Sequence, residues 1–250
     1  PNCTIIDPRS DETIDQRVRF AKILHEKRKR RGLTFYEAKK MMRERNYYAS
    51  AMVETGMADV MISGITRSYK ETIRPALQVI GAEEGINKIA GMYILISKDG
   101  PIFFADTTIN INPTIEEIVD ITLLVARTVK EYKIKPRIAM LSYSNFGSNE
   151  GEDAVKMREA VTYLHKQYPD LVVDGEVQAN FAVNKELVSD FFPFSMLADG
   201  RANTLIFPNL SSGNIAYKLV KEMSQFEAIG PVLLGMKRPV HVLQIGSSVR

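Results

Sequence analysis

Asn209-Leu210-Ser211-Ser212-Gly213-Asn214 has the residue types that hold an anion. A short apolar run, Thr204 to Phe207, precedes it, and Pro208 closes that run. Beyond it Ile215, Leu219, Met223 and Phe226 recur at three- and four-residue spacing, which predicts an amphipathic helix stopped by Gly230-Pro231. A strand, a small polar loop and a helix N-terminus present free N–H groups and the positive end of a dipole to a phosphate, carboxylate or acyl oxygen. Ordinary βα turns use the same Ser, Asn and Gly caps, so the motif alone leaves a capped turn and a binding site both open.

Two arginines raise the same question. Lys27-Arg28-Lys29-Arg30-Arg31 stands at the expected C-terminus of a helix capped by Gly32. Cations there offset the helix dipole, and guanidinium groups also clamp phosphate in a bidentate manner. Aromatic residues do not interleave the run, which disfavours a nucleic-acid surface. Arg74 precedes Pro75, and a proline early in a helix places Arg74 near that helix's N-terminus. Asp174 and Glu176 could form an acid–base pair, but nothing near them in sequence would tune a pKa.

Composition narrows the chemistry. The 250 residues are 45% hydrophobic and 25% charged with net charge +3, as in an ordinary soluble globular protein of one large or two medium domains. No apolar run approaches the roughly 20 residues of a membrane span, and no signal-peptide pattern opens the chain. Cys3 is the single cysteine, and His25, His165 and His241 are scattered, so neither a metal site nor His-based nucleophilic catalysis has support. A reducing cytosol is the expected compartment.

The positioning elements follow in order. Asn2 to Pro8 reads as the tail of a strand, with an upstream segment expected before it. Ile14, Val18, Ala21 and Leu24 mark a first helix. Thr34 with Glu37 forms a capping box opening a helix that runs to about Glu54. Val60 to Gly64 reads as a strand, Thr66-Arg67-Ser68 as a polar loop and Lys70 to Ile80 as a helix. Ile89–Ser97 and Ile102–Ala105 flank Asp99-Gly100, a hairpin signal. Thr114 and Glu117 make a second capping box. Arg137–Leu141 is a strand feeding the loop Ser142–Ser148, a helix spans about Asp153 to Tyr168, and Leu171–Val173 is a short strand. Val232–Leu234 and Val240–Leu243 close the strand set, and Gly246-Ser247-Ser248 leads into a further helix. Strands alternating with helices define an α/β fold with mainly parallel sheet, whose ligands sit beyond the strand carboxyl ends. Ser63–Ser68, Ser142–Ser148 and Asn209–Asn214 are therefore expected to converge on one cleft. The antiparallel hairpin suggests a domain boundary near Glu83–Gly85.

SGITRSYKETIRPALQ, FADTTINI, MLSYSNFGS, VDGEVQAN and FPNLSSGNIAYKL, followed by AIGPVLLGMKRPV, together resemble phosphate acetyltransferases and phosphate butyryltransferases. The resemblance covers nearly the whole chain in collinear order. It implies an isocitrate/isopropylmalate-dehydrogenase-like fold of two lobes, 1–83 with 231–250 and 84–230, lacking the family's first strand–helix units and last helix. It further implies a homodimer and a cleft for coenzyme A and acyl phosphate, in which arginines matching Arg28 and Arg74 hold phosphate. The Met-rich, aromatic segment Met41–Met57 would supply dimer surface. The expected ligand-binding set is Arg28, Arg74, Ser63, Ser142, Tyr143, Ser144, Asn209, Ser212, Gly213, Asn214 and Lys237.

One departure changes the expected function. Where the active family carries Leu-Ser-Arg-Gly, this chain reads Leu243-Gln244-Ile245-Gly246, and the family's Asp would fall beyond Arg250. PVHVLQIGSSVR resembles the transacetylase-like domain attached to bacterial NADP-dependent malic enzymes. That resemblance implies an acetyl-CoA-binding regulatory domain without turnover, joined in one polypeptide to a malic-enzyme part. A working phosphate acyltransferase and a ligand-free structural dimerisation domain are the alternatives. No GxGxxG is present, so NADP is not expected to bind these residues.

Overall fold

The structure is a computed structural model that describes residues 3–224 and 226–243. The chain forms two compact units, 1–85 with 236–250, and 86–235.

In the first unit, α1 (Ile14–Arg28) ends in a 3-10 turn, Lys29–Arg31, closed by Gly32 at φ 83°, a left-handed conformation that suits glycine. The Thr34–Glu37 capping box opens α2, but α2 spans only Phe35–Met41. A separate helix, α3 (Arg45–Glu54), follows, because Glu44 takes the N-cap and its carboxylate accepts from the Asn46 and Tyr47 amides. The single helix expected to run to Glu54 is thus two. Phe20, Leu24, Met42, Tyr48, Ala51 and Val79 form this unit's core. Most of the apolar side chains expected to offer dimer surface in Met41–Met57 are spent there, although Met57 is exposed.

β1 (Met61–Gly64) leads to α4 (Tyr69–Val79), opened by a further capping box, Ser68 with Glu71. That box sets the start early enough to put Pro75 in the second turn, not the first, and Arg74 follows the N-terminus by more than one turn. The expectation that Arg74 sits at the helix start is corrected accordingly. Residues 3–7 form no strand, and Ile5 is almost fully exposed.

The second unit is built on one six-stranded sheet. Its strands are β2 (Ala90–Ser97), β3 (Gly100–Ala105), β4 (Ile138–Leu141), β5 (Val173–Val177), β6 (Thr204–Ile206) and β7 (Glu227–Leu234). The order is β5-β4-β6-β3-β2-β7. β5, β4, β6 and β3 are parallel neighbours, while β2 pairs antiparallel with both β3 and β7. In the first unit β1 pairs in parallel with β8 (Val240–Leu243). Period-two alternation sends Met92 and Ile94 to one face of the larger sheet, and Tyr93 and Leu95 to the other. α5 (Ile115–Glu131), opened by the Thr114–Glu117 box, and α6 (Glu152–Gln167) cover the first face. α7 (Ala179–Ala182), α8 (Lys185–Phe191) and α9 (Leu210–Met223) contribute to the second.

Three expectations change here. α9 begins at Leu210, so Ser211 to Asn214 belong to the helix, and it ends at Met223. Gly230-Pro231 lies inside β7 and does not stop the helix. The apolar stripe of α9 faces out: Ile215, Leu219 and Met223 are 58%, 53% and 83% exposed, while Gly213 and Tyr217 face the core.

Candidate functional site

In the first unit the loop after β1 is gripped by α3. Glu44 caps α3 and pairs with Arg67 at 2.7 Å, and Arg45 donates to the Thr66 hydroxyl at 2.8 Å. Ser63 donates its hydroxyl to Asn46 Oδ1 at 2.9 Å. Asn46 is buried, and its Nδ2 has no hydrogen-bond partner among the described residues. A buried unpaired donor costs about 1–3 kcal/mol, so the amide beside Ser63 is a ready partner for a ligand oxygen.

Tyr47, the next residue of α3, lies within electrostatic reach of both expected phosphate-binding arginines. Burial holds its phenol above the usual range, the Arg74 and Arg28 guanidinium groups oppose that shift, and Glu44 reinforces it. Both cations therefore act on one hydroxyl. Arg74 and Gln78 stand one turn apart on α4, and Gln78 Oε1 accepts the Tyr47 proton at 2.6 Å. Among the described residues no carboxylate lies within ion-pair distance of Arg28 or Arg74.

Two neighbouring cations at the end of α1, Lys27 and Lys29, have other partners. Lys27 Nζ donates to the Val79 carbonyl at 2.5 Å and to Glu54 at 2.7 Å, covering the last turn of α4, and Lys29 pairs with Glu26. Arg28 is the cation of this basic run whose charge acts on Tyr47. Lys237, expected to bind ligand, pairs with Glu54 at 2.9 Å, and with Lys27 it brackets that carboxylate. Around Tyr47 the unpaired charge is cationic and carried by Arg28 and Arg74, which suits phosphate oxygens.

The second unit places its expected site residues in two groups. Tyr143 and Asn209 line one pocket of about 470 Å³ with Asn112, Glu152, Asp153 and Ser211. Asn209 caps α9 by accepting from the Ser212 amide at 3.0 Å, and its Nδ2 donates to Asp153 at 2.9 Å. Two carboxylates in this lining work against a bare anion, and the pocket suits hydroxyl or amide groups better. Ser212 returns its hydroxyl to the Asn209 carbonyl, and Asn214 donates to the Thr107 carbonyl at 3.1 Å. Gly213 is a packing residue, because a Cβ there would overlap the Asp106 carbonyl oxygen.

Ser142 and Ser144 sit at the end of β4. Ser144 is fully buried and donates to Glu176 Oε1 at 2.8 Å, and the Gly147 amide donates to the same oxygen at 2.9 Å. Glu176 thus holds the 142–148 loop in shape. Asp174 accepts from the Ser195 hydroxyl and the Met196 amide, both at 2.8 Å. The two carboxylates anchor separate loops rather than form a catalytic pair. Gln244 and Ile245 lie outside the described residues. Among the described residues no cluster of three or more His, Cys, Asp or Glu could hold a metal, and no helix is long and apolar enough to cross a membrane.

Asn46 and Tyr47 escaped the sequence reading because they are buried like core residues, and half-buried Gln78 because only tertiary packing brings it to Tyr47. The signal available was Glu44, an acidic N-cap that starts α3.

These features belong to a known class. Residues 2–250 match the Phosphate acetyl/butaryl transferase family, and the chain belongs to it. It is 37% identical to a phosphate acetyltransferase of Clostridium acetobutylicum over 98% of this chain and 74% of that protein. It is 38% identical to an NADP-dependent malic enzyme of Escherichia coli over 89% of this chain and 29% of that enzyme. A phosphotransacetylase structure from Streptococcus pyogenes superposes with a TM-score of 0.87 at 38% identity, covering 99% of this chain and 74% of that one. The chain also spans 47% of a Helicobacter pylori phosphate acetyltransferase, so its relatives extend beyond it to different degrees.

Proposed function

We propose that this chain is an acetyl-CoA-binding, phosphotransacetylase-like regulatory domain of an NADP-dependent malic enzyme, and that it does not turn acetyl-CoA over. The observation that carries the reading is Gln244-Ile245, at the place where the active family's Ser-Arg pair is expected. The isoleucine side chain can neither donate nor accept a hydrogen bond, so it cannot replace an arginine guanidinium in stabilising charge that develops on an attacked acyl group. Arg28 and Arg74, free of carboxylate partners among the described residues and acting on one tyrosine hydroxyl, support retained phosphate binding. A site that keeps ligand contacts and loses transition-state contacts is suited to sensing, because a ligand that prefers one conformation shifts the population toward it.

The similarity to malic enzymes over most of this chain favours a malic-enzyme part as partner in the same polypeptide. A homodimer in the cytoplasm belongs to the same reading. The second reading, a working phosphate acyltransferase, is favoured by the 36–38% identity to proteins of that activity. Calorimetric titration of the parent protein with acetyl-CoA tests the site. Arg74→Ala and Arg28→Ala are each expected to weaken binding about tenfold or more. Affinities within about twofold of wild type would remove the arginines from the site.

A further inference from the structure

Apart from the Tyr47 site, the first unit contains a cationic pocket of about 570 Å³ between α1 and α2. Lys39, Lys40 and Arg43 of α2 and its C-terminal turn, with Arg17 of α1, line it, and its lining includes no carboxylate. Among the described residues none of the four has a carboxylate within ion-pair distance. Four unneutralised cations around one concavity repel one another and raise the local concentration of anions.

Arg17 is built into the wall. It is only 9% exposed, and its Nη1 donates to the Pro8 and Ser10 carbonyls at 2.8 and 2.6 Å and to the Thr13 hydroxyl at 2.6 Å. One nitrogen thereby fixes the guanidinium, while Nε and Nη2 make no hydrogen bond among the described residues. Lys39 is steadied at 5.2 Å from the Phe35 ring centroid, a cation–π contact. The cations are therefore partly preorganised, which reduces the ordering cost of binding.

The same pocket has an aromatic and apolar side. Tyr36 is 74% exposed at its rim, and Ile14 and Val18 of α1 supply aliphatic surface. An exposed tyrosine beside several cations matches a ligand with a planar base and a phosphate tail. The volume lies within the range of small-molecule sites, roughly 300–1,000 Å³.

We infer that the α1–α2 pocket binds a nucleoside phosphate, with phosphates held by Arg17, Lys39, Lys40 and Arg43 and the base lying against Tyr36. This site does not depend on the acetyl-CoA reading, since none of its residues belongs to the Tyr47 group.

The test is calorimetry on the full-length parent protein with ADP, in an Arg74→Ala background that weakens the Tyr47 site. ADP is expected to bind with a dissociation constant below about 1 mM. Adding Lys40→Glu and Arg43→Glu is expected to weaken ADP by about tenfold or more. Tyr36→Ala is expected to weaken ADP severalfold and leave inorganic pyrophosphate within about twofold. Unchanged melting temperatures would show that the variants fold. No ADP binding in the Arg74→Ala background, or binding indifferent to the two charge reversals, would overturn the site. Equal losses of ADP and pyrophosphate in Tyr36→Ala would overturn the placement of the base.

Discussion

The Tyr47 hydroxyl donates to Gln78 Oε1 at 2.6 Å, tying α3 to α4 one turn beyond Arg74. Tyr47 is buried, so Tyr47→Phe leaves the Gln78 oxygen without that donor and adds no cavity. Stability is expected to fall by about 1 kcal/mol, the net worth of such a bond. Equilibrium urea unfolding checks this, and a Tyr47→Phe variant as stable as wild type would show that the bond contributes nothing.

Glu54 makes pH sensitivity predictable. Burial alone would raise its carboxyl, but hydrogen bonds and charge from Lys27 and Lys237 overcome that and hold it below the ordinary value of 4.5. A depressed carboxylate contributes stability that is fully present above its unfolded value and is lost as pH falls through its lower folded value. Glu54→Gln is expected to cost about 1–3 kcal/mol at pH 7, since it removes charge from bonds to two lysines. The gap between variant and wild type is expected to close as pH falls below the ordinary carboxylate value and through the lower folded one. Denaturant titrations across that range would contradict the assignment if the gap held constant.

Gly213 offers a packing test of an expected binding residue. Its Cα lies so close to the Asp106 carbonyl that an added methyl must displace backbone or the Phe207 ring. Asp106 is itself fixed, with its carboxylate accepting from the Gly91, Thr108, Ile109 and Asn110 amides. Gly213→Ala is expected to cost about 1–3 kcal/mol as overpacking. A thermal scan showing no loss would mean that the α9 start can shift freely.

Local chemistry made much of this fold legible. Thr34–Glu37 and Thr114–Glu117 announced two helices because a capping box is written in four consecutive residues. Asp99-Gly100 announced the hairpin for a similar reason. The face of α9 was not legible. Periodicity identifies an apolar stripe but not what lies opposite it, and Tyr217 rather than Leu219 meets the sheet, stacking on Tyr93 at 4.0 Å. The site divided in the same way. Arg28 and Arg74 stood out as charges, whereas Tyr47 and Gln78 are joined across 31 residues by tertiary packing alone. Ser144 stood out as a polar loop residue, whereas the bond its hydroxyl makes to Glu176, 32 residues later, is set by tertiary packing.

Turnover by the parent protein tests the central claim most directly. A coupled assay would follow acetyl phosphate formed from acetyl-CoA and phosphate, with acetyl-CoA binding measured on the same preparation. Losing a preorganised donor lowers rates by roughly 10²–10³. The expected result is saturable acetyl-CoA binding with turnover well below about 1 s⁻¹, the lower end of ordinary enzymes. Turnover at or above about 1 s⁻¹ would contradict the regulatory reading and make the chain part of a working phosphate acyltransferase.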